Sequence, residues 1–265
     1  MVGGVRVTPE QLAEVLRSAV LNEGTESNSV DALKGKLSEL GDGAIPQLDR
    51  LLADPSLVVS EAAADILESI GSQVAYDKLV EYALRHLEDP TGQTKLPGPG
   101  WVRLRRLGPP VLQAMARQYD SSLPSSTRLA MIFIAQQIGD PAELSLIEQA
   151  LAESDSRLVE AAAEALGTLD SQEAYERLIQ LIRSSKARHR VGAIRGLRRL
   201  GNKQAVRPLF DAMTSADQTV VASGASSAET RTERQLISDA IDSLTGMSLN
   251  GDPDRIRAWL EANSL

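Results

Sequence analysis

One marker recurs along this chain at a nearly constant distance. An apolar residue followed by Gly closes one helical pattern after another, at Leu40-Gly41, Ile70-Gly71, Leu107-Gly108, Ile138-Gly139, Leu200-Gly201 and, more loosely, Thr245-Gly246, with Leu169-Asp170 in the same slot. The successive intervals are 30, 37, 31, 31, 31 and 45 residues. A fixed period of this length marks stacked supersecondary units, none of which can bury its apolar face alone. Helices commonly end on a residue at positive φ, where Gly costs nothing and Asn or Asp are the usual substitutes. Asp170 is therefore expected in the same backbone conformation as the glycines.

Shifting by 31 aligns the second helix of each regular unit. Met131, Ala162 and Ala193 correspond, as do Ile132, Ala163 and Ile194; Ala135, Leu166 and Leu197; and Ile138, Leu169 and Leu200. Their spacing follows one stripe of an α-helix. The first helices repeat likewise, with Ile147 over Leu178, Ala150 over Leu181 and Leu151 over Ile182. Two such helices joined by a polar turn such as Glu153 to Ser156 make one antiparallel hairpin.

Composition agrees: 42% of residues are hydrophobic but only 3% aromatic, so the core is packed from Ala, Leu, Ile and Val, as in close helix-on-helix contact. No Cys is present, which removes disulfides, thiolate nucleophiles and Cys-based zinc sites. With only His86 and His189, a His-rich metal centre is also out of reach, and no cofactor is expected. A net charge of −8 disfavours wholesale binding to nucleic acid or anionic membrane. The start, MVGGVRVTPEQL, lacks a signal-peptide pattern, and no stretch approaches the roughly 20 apolar residues that span a bilayer. A soluble, cytoplasmic protein is expected.

The runs AIPQLDRLLADPSLVVSEAAADILESIG (Ala44 to Gly71) and SDSRLVEAAAEALGTLD (Ser154 to Asp170) resemble HEAT repeats of the short bacterial, phycobilisome-lyase-like type. Pro46 and Pro208 stand early in their first helices, as the family's Pro does, where the first N–H groups have no partner to lose. The resemblance spans Ala44 to Gly246. It implies an all-α solenoid, a superhelix of about six to seven antiparallel hairpins in one continuous domain. Residues 1–40 would form N-terminal capping helices, 41–246 the repeats and 247–265 a C-terminal cap. Thr8-Pro9-Glu10-Gln11 reads as a capping box that starts a helix from Pro9 to about Leu21. The last segment, SLTGMSLNGDPDRIRAWLEANSL, resembles the LTG…D…W tail of bacterial HEAT arrays, with Trp259 and Leu260 covering the last hairpin. The long intervals contain a Pro/Gly-rich loop, 89–100, and a small-residue loop, 222–228; both read first as tolerated insertions.

In such arrays the second helices usually line one face, typically the concave one. Opposite the core stripe lie Arg157, Glu160, Glu164 and Thr168, then Arg188, Val191, Arg195 and Arg199. The preceding unit places Leu129, Phe133 and Gln137 on this ridge, and Val102 and Arg106 fall on the same count. From Arg177 to Phe210 there are ten cations and no acid. One reading of this run is plain solvation of a helix face. The other is an anion-recognition patch, since the guanidinium fork matches carboxylate or phosphate. Arg106, Leu129, Phe133, Arg188, Arg195, Arg198 and Arg199 are the candidate partner-binding residues, an apolar spot rimmed by Arg.

Catalytic chemistry is not identifiable. Neither His stands near a Ser in a recognised arrangement, and His189, between Arg188 and Arg190, reads as a surface residue. Gly98-Pro99-Gly100 is followed by no Lys-Ser/Thr. The repeated His-Glu pairs of di-iron HEAT proteins are missing, and few aromatics are available to stack on bases as a HEAT-like DNA glycosylase would need. The sequence thus favours a non-catalytic scaffold or adaptor that docks a protein or acidic peptide on the second-helix face. The alternatives are a phycobilin lyase or isomerase subunit, as the family resemblance suggests, and polyanion or nucleic-acid binding through hairpin 177–207.

Overall fold

The computed structural model describes residues 7–22, 26–88, 98–215, 220–222 and 230–265. Fifteen α-helices occur among them, and no described helix is long and apolar enough to cross a membrane. The chain divides into two compact units, residues 1–118 and 119–265. Each is a row of antiparallel helix pairs, the arrangement of an all-α HEAT-like solenoid.

The first unit contains α1 (Pro9–Leu21), α2 (Ser27–Glu39), α3 (Ile45–Leu52), α4 (Leu57–Ile70), α5 (Gln73–Leu84), α6 (Pro99–Leu107) and α7 (Leu112–Gln118). Helix α1 starts as the sequence predicts: Thr8 Oγ1 accepts from the Gln11 N–H and the Gln11 side chain accepts from the Thr8 N–H. Leu16, Leu37, Leu48, Ile66, Leu67, Leu79 and Tyr82 form its buried core. Of the Pro/Gly-rich segment, 89–97 lies outside the described residues, whereas Pro99 and Gly100 are not loop but the start of α6, with Gly98 at its N-cap. Pro99 suits a first helical turn, and Gly100 runs against the backbone of Ala83, where no Cβ fits.

The second unit contains α8 (Ser125–Ile138), α9 (Leu144–Leu151), α10 (Ser156–Leu166), α11 (Gln172–Leu181), α12 (Ala187–Leu200), α13 (Val206–Ser215), α14 (Glu233–Thr245) and α15 (Pro253–Ala262). The aligned stripes form its core: Met131, Ala162, Ala193, Ile132, Ala163, Ile194, Ala135, Leu166, Leu197 and Leu169 are buried, while Ile138 and Leu200 at the helix ends are half-buried. Inside the lengthened interval, β1 (Val220–Ala222) pairs antiparallel with β2 (Thr230–Thr232), with Val220 opposite Thr232. The small-residue loop from 223 onward lies outside the described residues. Trp259 and Leu260 of α15 are buried, and Arg257 stands over the ring of Phe210, 5.7 Å from its centroid.

Helices α4, α8, α12 and α14 close on glycines at positive φ: Gly71, Gly139, Gly201 and Gly246, at 65° to 73°. Asp170 departs from this pattern and does not adopt positive φ. Helix α10 stops at Leu166 instead and tightens into i→i+3 bonds, from Gly167 N to Glu164 O, Thr168 N to Ala165 O and Leu169 N to Leu166 O. These bonds satisfy the last carbonyls of α10 before the chain reaches Asp170, so no left-handed cap is needed there.

Helices α10 and α12 approach backbone to backbone. A Cβ on Gly192 would lie 2.6 Å from Glu160 O, and one on Gly196 2.5 Å from Ala163 O. Two glycines four apart leave a groove on α12 that only a small-residue surface, here Ala163 of α10 and its capping residue Gly167, can enter.

Candidate functional site

The close seam decides what becomes of the second-helix ridge. At this separation Glu160 and Val191, expected to face outward, are buried. The 100° count fails because it assumes ordinary interhelical spacing of about 8–10 Å; residues at the flank of a tighter contact are covered. A buried carboxylate needs partners, and Glu160 finds two, accepting from Arg188 Nη1 at 3.0 Å and Arg195 Nη1 at 2.7 Å. Arg195 also stands 3.9 Å from Glu164.

Other members of the cationic run are engaged as well. Arg177 pairs with Glu148 at 2.8 Å, Arg190 with Glu233, and Arg207 with the Leu265 carbonyl. The acids absent from hairpin 177–207 are thus supplied by its neighbours. Arg198 and Arg199, on the last turn of α12, are exposed and make no ion pair among the described residues. They also complement the negative end of the helix dipole.

On α8, Phe133 is 39% exposed while Leu129 is half-buried, leaving one apolar ring at the surface. Phe133, Glu164 and Arg195 stand 31 residues apart in successive second helices, as do Gln137, Thr168 and Arg199.

In the first unit Arg106 is exposed and paired with Glu68 at 2.7 Å. Beside it, Arg103 was not anticipated: it is buried and meets Glu61, Asp65 (3.0 Å) and Glu68 (3.0 Å), a carboxylate face of α4. Tyr82 donates to Glu61 at 2.8 Å and Lys34 to Asp65 at 2.9 Å. Desolvation pushes the Tyr82 phenol up to about 12, and the cations around Asp65 hold its carboxyl down against burial. The spacing of Glu61, Asp65 and Glu68 along one helix face was the available signal. An open groove of about 450 Å³ between α1, α2 and α4 includes Val20, Val30, Lys34, Val58, Glu61 and Asp65 in its lining. Its carboxylates at 61 and 65 are already committed to Arg103 and Lys34.

His189 is buried, not at the surface, and burial together with Lys186 lowers its pKa. Its Nδ1 lies 3.3 Å from Ser184 Oγ, which also accepts from the Lys186 N–H. No carboxylate orients the ring, since Nε2 is buried without a partner, so the pair lacks the third group that activates a nucleophile. Among the described residues no group of three or more His, Cys, Asp or Glu is placed to hold a metal ion.

No curated protein matches the chain. Among solved structures it is similar to the human deoxyhypusine hydroxylase in complex with glycerol, at 15% identity over 90% of this chain and 97% of that one, with a TM-score of 0.38. It is also similar to the complex of CpcE and CpcF of phycocyanin lyase from Nostoc sp. PCC7120, at 17% identity, 98% and 96% coverage and a TM-score of 0.37. An engineered protein matches at 17% identity, 96% and 71% coverage and a TM-score of 0.36. None of these likenesses is close enough to carry an argument about activity. The family model of the HEAT repeats matches residues 109–190 and 175–263, more than half of the sequence, and the chain belongs to the HEAT-repeat family.

Proposed function

We propose that this chain is a non-catalytic scaffold that docks a segment of another protein on the second-helix face of residues 119–265, with an acidic end at Arg198 and Arg199 and an apolar end at Phe133. The observation that supports this reading is the contrast along α12: Arg188, Arg190 and Arg195 are each tied to a glutamate, whereas Arg198 and Arg199 have no carboxylate partner among the described residues. A cation with no internal partner keeps its capacity for bidentate recognition. Two interhelical spacings, one of them the tight α10–α12 seam, separate α8 from α12, about 16 Å, the reach of about five extended residues. Glu164, half-exposed between them, repels an acid at the middle of the segment and so sets its polarity. Two available arginines suit a short acidic sequence better than a nucleic-acid backbone, which rewards many cations at once.

The test is fluorescence anisotropy with a labelled peptide carrying a leucine at one end and three glutamates at the other. Binding that weakens in Arg198→Glu/Arg199→Glu and in Phe133→Ser supports the reading. Binding unchanged in both variants, or no binding by the parent, refutes it.

A further inference from the structure

Glu143, in the 3-10 turn Pro141–Glu143 ahead of α9, is wholly inaccessible to solvent and has no ion pair among the described residues. Its Oε2 is buried with no partner, and its Oε1 lies 3.0 Å from Thr168 Oγ1. That hydroxyl has only one proton. Thr168 Oγ1 also sits 2.6 Å from Ala165 O, and a carbonyl can only accept, so the hydroxyl proton is spent there. The contact with Glu143 is then a hydrogen bond only if the carboxyl supplies the hydrogen. An isolated buried carboxylate with an orphaned oxygen would in any case be costly.

The groups that face this carboxyl from the elements around it are few. Asp140, just before the turn, opposes its ionisation; Arg199 from α12 favours it; the turn after α10 offers the Thr168 hydroxyl.

We infer that Glu143 carries a proton in the folded protein at neutral pH, donated to Thr168 Oγ1, and that this proton leaves Arg199 uncompensated and open to an acidic partner. Loss of the proton places a negative charge within the field of Arg199. The field of ionised Glu143 then offsets part of the Arg199 charge that a partner's carboxylate meets, and affinity falls. By linkage the effect is reciprocal: an anion bound at Arg199 makes Glu143 harder to deprotonate. The regulatory half of this inference rests on the docking reading above; the proton assignment does not.

The experiment uses the full chain with ¹³C-labelled glutamate carboxyls, followed by NMR from pH 5 to 10. One resonance, absent in Glu143→Gln, is expected to titrate on the alkaline side of neutrality and to move to higher pH in Arg199→Gln. Titration in the ordinary carboxylate range, or no displacement in Arg199→Gln, overturns the inference. In parallel, the acidic peptide is titrated at pH 6.5 and 9.0, where its own glutamates stay ionised. The parent should lose about 3- to 10-fold in affinity at the higher pH, and Glu143→Gln should lose none. Equal affinities of the parent at both pH values overturn the gate. A peptide that binds at neither pH, with the resonance behaving as expected, sinks the docking reading and leaves the proton assignment supported.

Discussion

Arg190 of α12 and Glu233 of α14 meet fork to fork, with Nε to Oε1 and Nη2 to Oε2 both at 2.7 Å. Glu233 is buried, so removing the arginine strands a carboxylate that water cannot reach. Arg190→Ala and Glu233→Ala are each expected to cost about 3–5 kcal/mol, and the apolar double replacement Arg190→Met/Glu233→Leu much less. Urea unfolding of the two single variants and the double variant checks this; additive losses would show that the pair does not act as a unit.

The seam between α10 and α12 predicts opposite outcomes for glycines of equal helical rank. Gly196→Ala brings a Cβ to 2.5 Å from Ala163 O, and Gly192→Ala one to 2.6 Å from Glu160 O. Each should destabilise by about 1–3 kcal/mol through forced separation of the helices. Gly35 in α2 has nothing within 4 Å of its Cβ position, so Gly35→Ala should stabilise by about 0.5–1 kcal/mol. Thermal melts of the three variants decide it.

Burial pushes the Glu143 carboxyl from its ordinary 4.5 up to about 8. Below the lower value both folded and unfolded chains hold the proton, and the full stability is present. Between the two values only the unfolded chain releases it, so stability falls as pH rises and levels off above the folded value. Glu143→Gln should flatten this slope and gain on the order of a few kcal/mol relative to the parent near pH 8. Denaturant midpoints at pH 5, 7 and 9 measure the slope directly; parallel parent and variant curves would contradict it.

Phe133 is expected to serve recognition more than packing. Phe133→Ser should lower stability by no more than about 1 kcal/mol, because the ring is already part-exposed, yet weaken the acidic peptide by roughly tenfold or more. A large drop in melting temperature would assign the ring to the core instead.

The repeat, the core stripes and the start of α1 were legible because each depends on local chemistry: a helical period, a glycine at a left-handed cap, a capping box. The fates of Glu160, Val191 and His189 were not, because they turn on how closely the next helix approaches. The glycines at 192 and 196 are visible in the sequence, but their meaning depends on Ala163 and Gly167, one repeat away. Charge was misleading for a related reason. Counting along the chain finds ten cations without an acid, while the glutamates at 148, 160 and 233 reach them from other helices. Asp170 shows the remaining limit: helix α10 ends three residues earlier than its neighbours α8 and α12, so the slot that looks like a cap in the sequence is not one.

Where two backbones touch, no side chain remains to be trimmed or enlarged in compensation for a shift. An inserted or deleted residue inside α12, between Gly192 and Gly196, would therefore turn a bulky side chain into the contact, with no cheap repair. The unbroken run of 31-residue steps falls across this stretch, and the length variation is confined to intervals elsewhere, such as the one that accommodates the short ribbon of β1 and β2. Spacing in this chain is conserved by contact, and tolerance to insertion should follow a map of interhelical distance.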